Sequence, residues 1–277
     1  VFSPKSPYFL LKVDRTRQNI DNSKKIGYFL KIMHLVPQSS FIPRSPEPKT
    51  LVEGAYLALR RDIINGVHPP STKLRVEHLK DRYNVGAGTL REALALLVAD
   101  SLVFTQGQKG FTVSPMSLAD FLDITERRIM LEMEALSQSM TLGDDRWEAD
   151  VIAAYHRLTL AEKKLGKTNE SHDDAFFQEW EQRNEEFHSA LVSACPSKWI
   201  LQFIGILYHH SERYRRIALQ YRKDNERDVH AEHEALKTAA LNRDIKLCTK
   251  LLSQHIKLTY VLVSKLPEEI FSAPAAA

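Results

Sequence analysis

Between Leu51 and Val113 the apolar residues change their spacing in a fixed order, and that order limits the fold more than any other feature of the chain. Leu51, Ala55, Leu59, Ile63 and Ile64 fall on one face at i, i+4 spacing and predict a helix, which Asn65-Gly66 stops and Pro69-Pro70 keeps from resuming. A short helix is expected over Val76 to Arg82, with Leu79 and Tyr83 inward. Asn84-Val85-Gly86-Ala87-Gly88 reads as a turn into a third helix, Thr89 to Asp100, where Leu90, Ala93, Leu94 and Leu97 share core spacing. Leu102 to Val113 alternates around Gly107 and Gly110, the pattern of a two-stranded hairpin. Helix, helix, turn, helix, hairpin is the order of a winged helix-turn-helix.

Beyond Pro115 strand signal nearly vanishes. Ser117-Leu118-Ala119-Asp120 has the spacing of a capping box and opens an amphipathic segment to about Met140. Gly143-Asp144-Asp145, Gly166 to Ser171, Pro196-Ser197, Lys223 to Asn225 and Asn242-Arg243-Asp244 punctuate further helical stretches. About six helices with short loops predict an antiparallel all-α bundle. The expected organisation is a disordered basic arm (1–48), a winged domain (49–115), a helical domain (116–265) and a tail (266–277), mainly α in class.

The net charge of +3 hides a gradient: nine Lys or Arg against three acids in residues 1–49, eight against six in 50–115, and 21 against 26 in 116–277. A positive N-terminal half suits a polyanion. The two cysteines, Cys195 and Cys248, make no disulfide framework and suit a reducing cytoplasm. The longest apolar neighbourhood, Leu191 to Tyr208, is broken by Pro196 and Lys198, short of a membrane span. The arm lacks an apolar core followed by a small-residue cleavage site, which reads against a secretory signal.

In a helix-turn-helix the second helix enters the major groove of double-stranded DNA, N-terminus first. Arg91, one turn into that helix, can grip a guanine edge or a phosphate, while Thr89 and the backbone N–H groups from Gly86 through Gly88 suit phosphate oxygens. Arg75 before the preceding helix, with Lys109 and Gly110 at the wing tip, completes the expected DNA surface. A pairing of Arg91 with Glu92 or Asp62 is the plain alternative.

Eight of eleven histidines lie after residue 150. Asn184 and His188 share one helical face, and His233 and His255 sit in later helices among inward-facing Leu and Ala. Three imidazoles and one oxygen can hold a divalent ion such as zinc, nickel or manganese with positions left open. Isolated core histidines would show the same spacing. Arg128 is the residue expected to pair with a carboxylate ligand, because guanidinium and carboxylate match as two parallel hydrogen bonds; Arg213 and Arg216 are further candidates. Phe176, Phe177, Trp180, Trp199 and Phe203 recur at helical spacing and are expected in the core.

The run Gly66 through Pro70 to Leu74, Tyr83-Asn84-Val85, Leu90-Arg91-Glu92-Ala93-Leu94, Leu102-Val103 and Gly110-Phe111-Thr112-Val113 resembles the DNA-binding domain of GntR-family bacterial regulators. It departs from them at Gly86-Ala87-Gly88-Thr89, where Ser/Thr-Arg-Thr/Ser-Pro is usual. The order Asn184/His188, His233, His255 and the Arg128-x-x-x-Glu132 spacing are similar to the FCD effector domain of the FadR branch. That resemblance covers about residues 50–262 and implies a homodimeric regulator, commonly a repressor, with a small carboxylate at a divalent metal site. Over Tyr83 to Ser117 the likeness is to a carbon-starvation-induced member, which implies a C4 to C6 dicarboxylate such as glutarate. Two other readings compete: a metal-dependent hydrolase built on the three histidines, which lacks His-Glu-x-x-His or Gly-x-Ser-x-Gly, and a regulator whose metal is purely structural.

Overall fold

The computed structural model describes residues 48–105, 110–165, 174–221 and 227–271. The head begins with α1 (Leu51–Ile64), capped by the Thr50 side chain. It continues through β1 (Lys73–Leu74), α2 (Val76–Tyr83), α3 (Ala87–Ala99), β2 (Val103–Thr105) and β3 (Phe111–Val113). The wing contains one strand more than the expected hairpin. β1 pairs antiparallel with β3, Lys73 opposite Thr112, giving the order β1-β3-β2. Two residues are too short to show a period, so β1 left no alternation to read. Leu59, Ile63, Leu90, Ala93, Leu94, Leu97 and Val103 form the head's core. Leu79 is buried and Tyr83 half-buried, as their spacing predicts.

Among the described residues seven helices form the body: α4 (Leu118–Leu142), α5 (Asp145–Leu165), α6 (Asp174–Val192), α7 (Lys198–His210), α8 (Glu212–Gln220), α9 (Val229–Leu241) and α10 (Ile245–Val263). Six were expected because Lys198 to Gln220 reads as one helix. Ser211 divides it with φ −80° and ψ −8°, closing α7 and opening α8, a bend that needs no Gly or Pro. A 3-10 turn, Glu268–Phe271, follows, and its Phe271 is buried beside Tyr214, so the segment expected as tail packs at that point. The breaks expected at Gly166 to Ser171 and Lys223 to Asn225, the wing tip at Lys109, and the arm up to residue 47 lie outside the described residues.

Leu136, Val151, Leu158, Phe187, Leu191, Leu236 and Leu252 centre the body's core. Phe177 of α6 leaves that core and is buried in the head's, so head and body share apolar contacts. An ion pair joins them as well: Arg60 of α1 donates to Glu212 of α8, 3.1 Å from Nη1 to Oε1, with both side chains buried. Trp199 and Phe203 are corrections to the expected core: they are 65% and 48% exposed on α7, stacked together at 6.1 Å. Helical spacing places residues on one face but does not decide what covers that face. Among the described residues no helix is long and apolar enough to cross a membrane.

Candidate functional site

Two places in the molecule carry chemistry. The first is the N-terminus of α3. Among the described residues six other helices close this end with a side chain: Thr50, Ser117, Asp144, Ser197, Asp228 and Asp244 each accept a backbone N–H. At α3 the N-cap is Gly86, which has no side chain to do so, and the first turn holds no acid. The N–H groups of Ala87, Gly88 and Thr89 precede the first helical bond, from Leu90 N to Gly86 O at 3.1 Å. They stay available, and the positive end of the helix dipole is uncompensated, which suits an anion.

Arg91 is exposed one turn further on and takes no partner among the described residues. The alternative pairing with Asp62 does not form, because Asp62 is engaged by Arg82 at 3.3 Å and by the Tyr83 hydroxyl at 2.7 Å. Gly86, Gly88 and Arg75 are exposed, and Thr89 is half-buried. Arg75 is the N-cap of α2. Gly110 has φ +85°, the left-handed region that favours glycine, where the chain enters β3. Gly86 and Gly88 have no such requirement: a Cβ at either would meet nothing within 4 Å.

The second place is a cluster of histidines inside the body. α6, α9 and α10 bring His188, His233 and His255 together, all buried, with one ring nitrogen of each within 4.8 Å of the others. Two are oriented by acids. His233 Nδ1 lies 2.8 Å from Glu162 Oε1, and His255 Nδ1 lies 2.7 Å from Glu232 Oε2. A carboxylate on Nδ1 fixes the tautomer and turns Nε2 away from it, the arrangement that supports metal-bound histidines. His233 Nε2 and His188 Nδ1 are buried without a hydrogen-bond partner. Imidazole nitrogens left without a partner in one buried cluster are costly, and three ring nitrogens within 4.8 Å of one another form a donor set that fits a divalent ion.

Arg227 holds Glu232 through two hydrogen bonds, of 2.7 and 2.6 Å, and also donates to the His255 carbonyl at 2.8 Å. His230 bonds the other oxygen of Glu162 and stacks on Tyr155, outside the cluster, consistent with its different helix face. Asn184 is buried nearby and donates its amide to the Tyr208 hydroxyl at 2.6 Å, which leaves its carbonyl oxygen to offer. Burial drives His188 down to about 4, against the pull of Glu132, and drives His255 well below its usual value. Both imidazoles are therefore neutral and able to ligate near pH 7.

Arg128 stands beside this cluster. Its Nε donates to Glu132 at 2.8 Å and its Nη1 to Ser211 at 3.0 Å, while Glu132 Oε2 lies 3.7 Å from His188 Nδ1. Burial alone would raise Glu132, but Arg128 and His188 outweigh it and hold the carboxyl down to about 2. Nη2 of Arg128 takes no partner among the described residues. Arg213 is elsewhere: it donates to the Ser114 carbonyl at 2.8 Å, on the linker between head and body. Glu162, Glu232 and Arg227 are the site residues that spacing did not single out, and Glu132 entered only through the Arg128-x-x-x-Glu132 resemblance. Glu132 and Glu232 had a signal, one at i+4 from Arg128 and one adjacent to His233; Glu162 had none, since helix packing alone brings it to His233.

The two places coincide with two family models: that of the gntR family of bacterial regulatory proteins over residues 51–113, and that of the FCD domain over 123–258. BphR, an HTH-type transcriptional regulator of Paraburkholderia xenovorans, is 46% identical over 228 residues, 81% of this chain and 91% of its own. The transcriptional repressor GlaR of Escherichia coli is 38% identical over 204 residues, 73% of this chain and 90% of its own. Escherichia coli McbR superposes with a TM-score of 0.61 at 17% identity over 78% of this chain and 98% of its own, a likeness of fold. The chain belongs to the GntR family. It is a transcriptional regulator with an FCD effector-binding domain, and the alternative of a hydrolase is set aside.

Proposed function

We propose that this regulator is a homodimeric repressor that releases its operator when a small dicarboxylate binds a divalent metal held by His188, His233, His255 and the Asn184 oxygen. The observation that carries this reading is a buried chain of contacts that runs from His188 to the head. Glu132 touches His188 and is gripped by Arg128, Arg128 bonds Ser211 at the α7–α8 bend, and the next residue, Glu212, is ion-paired with Arg60 of α1. The metal would supply a positive centre for a ligand carboxylate, and Nη2 of Arg128 takes the second carboxylate. A ligand that draws Arg128 off Ser211 moves the bend to which the head is tied. It shifts operator affinity by as much as its affinities for the two arrangements differ.

On the DNA side, Gly86, Gly88 and Thr89 receive a phosphate at the open end of α3, Arg91 reads a base edge, and Arg75 and the wing at Lys109 and Gly110 hold the backbone. Trp199, Phe203 and Ile206 expose one apolar stripe of α7, which supports pairing with a second copy. We place its work in the cytoplasm, with DNA. The use of a dicarboxylate such as glutarate rests on the likeness to the carbon-starvation-induced member.

Fluorescence anisotropy with the protein's own upstream DNA tests both halves, with zinc or chelator and with C4 to C6 dicarboxylates. Arg91→Ala is expected to weaken operator binding by about 1–3 kcal/mol in every ligand state. His188→Ala keeps operator binding and loses the response to metal and acid. An acid response that persists in His188→Ala sinks the metal-mediated switch. Metal that raises the melting temperature but leaves operator affinity untouched by any acid marks the ion as purely structural.

A further inference from the structure

Where the head meets the body, a cleft of about 310 Å³ opens between Leu102 and Ser114 on one side and Asp120, His210, Arg213 and Tyr214 on the other. Its volume is that of a small-ligand pocket. Arg213 is only 6% exposed, yet its one hydrogen bond among the described residues goes to a neutral acceptor, the Ser114 carbonyl. Of the four other buried arginines among the described residues, three hold a glutamate: Arg60 with Glu212, Arg128 with Glu132 and Arg215 with Glu181. Burial pushes Arg213 down to about 10, although Tyr214 and Asp120 pull the other way. A desolvated guanidinium with unused donors beside an open space can receive a carboxylate through two parallel hydrogen bonds.

The opposite charge lines the same cleft. Asp120 Oδ2 accepts from the Tyr214 hydroxyl at 3.0 Å, while Oδ1 takes no partner among the described residues. Asp120 and Arg213 do not pair with each other, so both charges remain open to a third group. We propose that this cleft is a second ligand site, separate from the histidine cluster, and that it takes a small α-amino acid: carboxylate on Arg213, ammonium on Asp120. Because the cleft has a head wall and a body wall, an occupant bridges the joint between them. The proposal does not depend on the metal reading above.

Saturation-transfer NMR on the full chain, with chelator present, tests it using L-alanine and propionate, which differ in the ammonium group. L-alanine is expected to bind with Kd on the order of 1 mM. Propionate should bind about tenfold more weakly, the loss of one charged hydrogen bond. Arg213→Met abolishes the L-alanine signal, Asp120→Asn lowers it to the level of propionate, and His188→Ala leaves it unchanged. The site is refuted by any of four results: no L-alanine signal with the unaltered chain, equal signals from the two probes, a signal that survives Arg213→Met, or one lost in His188→Ala. Should Arg213→Met not fold, the near-isosteric Asp120→Asn decides, and an undiminished preference for L-alanine there overturns the proposal.

Discussion

Head and body differ in how much charge they bury: the head buries Arg60, Asp62 and His68, the body many more such groups. The head buries Leu59, Ile63, Leu90, Leu94, Leu97 and Val103 against one another and keeps its reactive groups, the open end of α3 and Arg91, on the outside. The body buries Arg128, Glu132, Glu181, Asn184, His188, Glu212, Arg215, His233 and His255. Charges cost several kcal/mol each to bury and return that only with good partners, so a bundle has no need of them for its fold. What the difference teaches is where each half meets its ligand. A reader of DNA presents a rigid outer face, and an effector domain must take its ligand inside, where polar groups are worth most.

The contrast breaks most visibly at Glu132. Removing it in Glu132→Ala leaves Arg128 buried without its acid and should cost about 3–5 kcal/mol of stability. Trp147, Trp180 and Trp199 all lie on body helices, but Trp180 also packs against the head's core, so tryptophan fluorescence in a Trp180→Phe background follows the body during urea unfolding. The double variant Arg128→Met/Glu132→Leu is expected to regain most of the loss, since an apolar pair fills the volume without desolvating charge. A double variant no more stable than Glu132→Ala sinks the idea that these charges are kept for function at the expense of stability.

Acid should separate the halves next. His188 falls from its usual 6.5 to about 4 through burial, so the unfolded chain takes up its proton first. The stability this neutral imidazole contributes is fully present above pH 6.5 and lost as pH falls toward 4, on the order of 3 kcal/mol. His255, lowered by burial and by the neighbouring His233, His188 and Arg227, acts in the same direction. Glu132, held down to about 2 chiefly by Arg128 once its burial is overcome, extends the loss from pH 4.5 toward 2. In the head, among the described residues, only His68 is lowered, by burial and by Arg82, against the pull of Asp62. The chelated body should therefore unfold at a higher pH than the head. Tryptophan fluorescence and hydrogen exchange of α3 amides that lose their protection together would contradict this.

How far these two halves could be read beforehand follows the same division. The head is legible because short-range signals decide it: i, i+4 leucines, Asn65-Gly66, Pro69-Pro70 and the glycines of the wing each act within a few residues. The strand β1 escaped, since two residues carry no period. In the body, helix spans were legible but their mutual arrangement was not. His188, His233 and His255 converge through α6, α9 and α10, a relation spanning 67 residues that only the family pattern anticipated. Glu162 reaches His233 across 71 residues and Arg60 reaches Glu212 across 152, and no spacing rule covers either. The exposure of Trp199 and the turn of Arg213 toward the linker belong to the same class, because both depend on which neighbour a face receives.

The finest test of the contrast lies at Gly88, which is exposed, has no positive φ and would meet nothing within 4 Å if given a Cβ. Nothing inside the chain asks for glycine there. By helix propensity alone, Gly88→Ala should stabilise the head by about 0.5–1 kcal/mol. If the open end of α3 lies against a phosphate, the same methyl group keeps the DNA backbone away from the N–H groups it needs, and operator affinity falls while stability rises. No charge is removed, so the dependence of binding on salt keeps its slope, whereas replacing a cation that contacts phosphate lowers it by about one. Thermal melting, paired with anisotropy titrations at several salt concentrations, separates the two effects. A Gly88→Ala variant that is more stable and binds its operator as tightly as before would remove α3's N-terminus from the DNA interface and leave Arg91 to act without it.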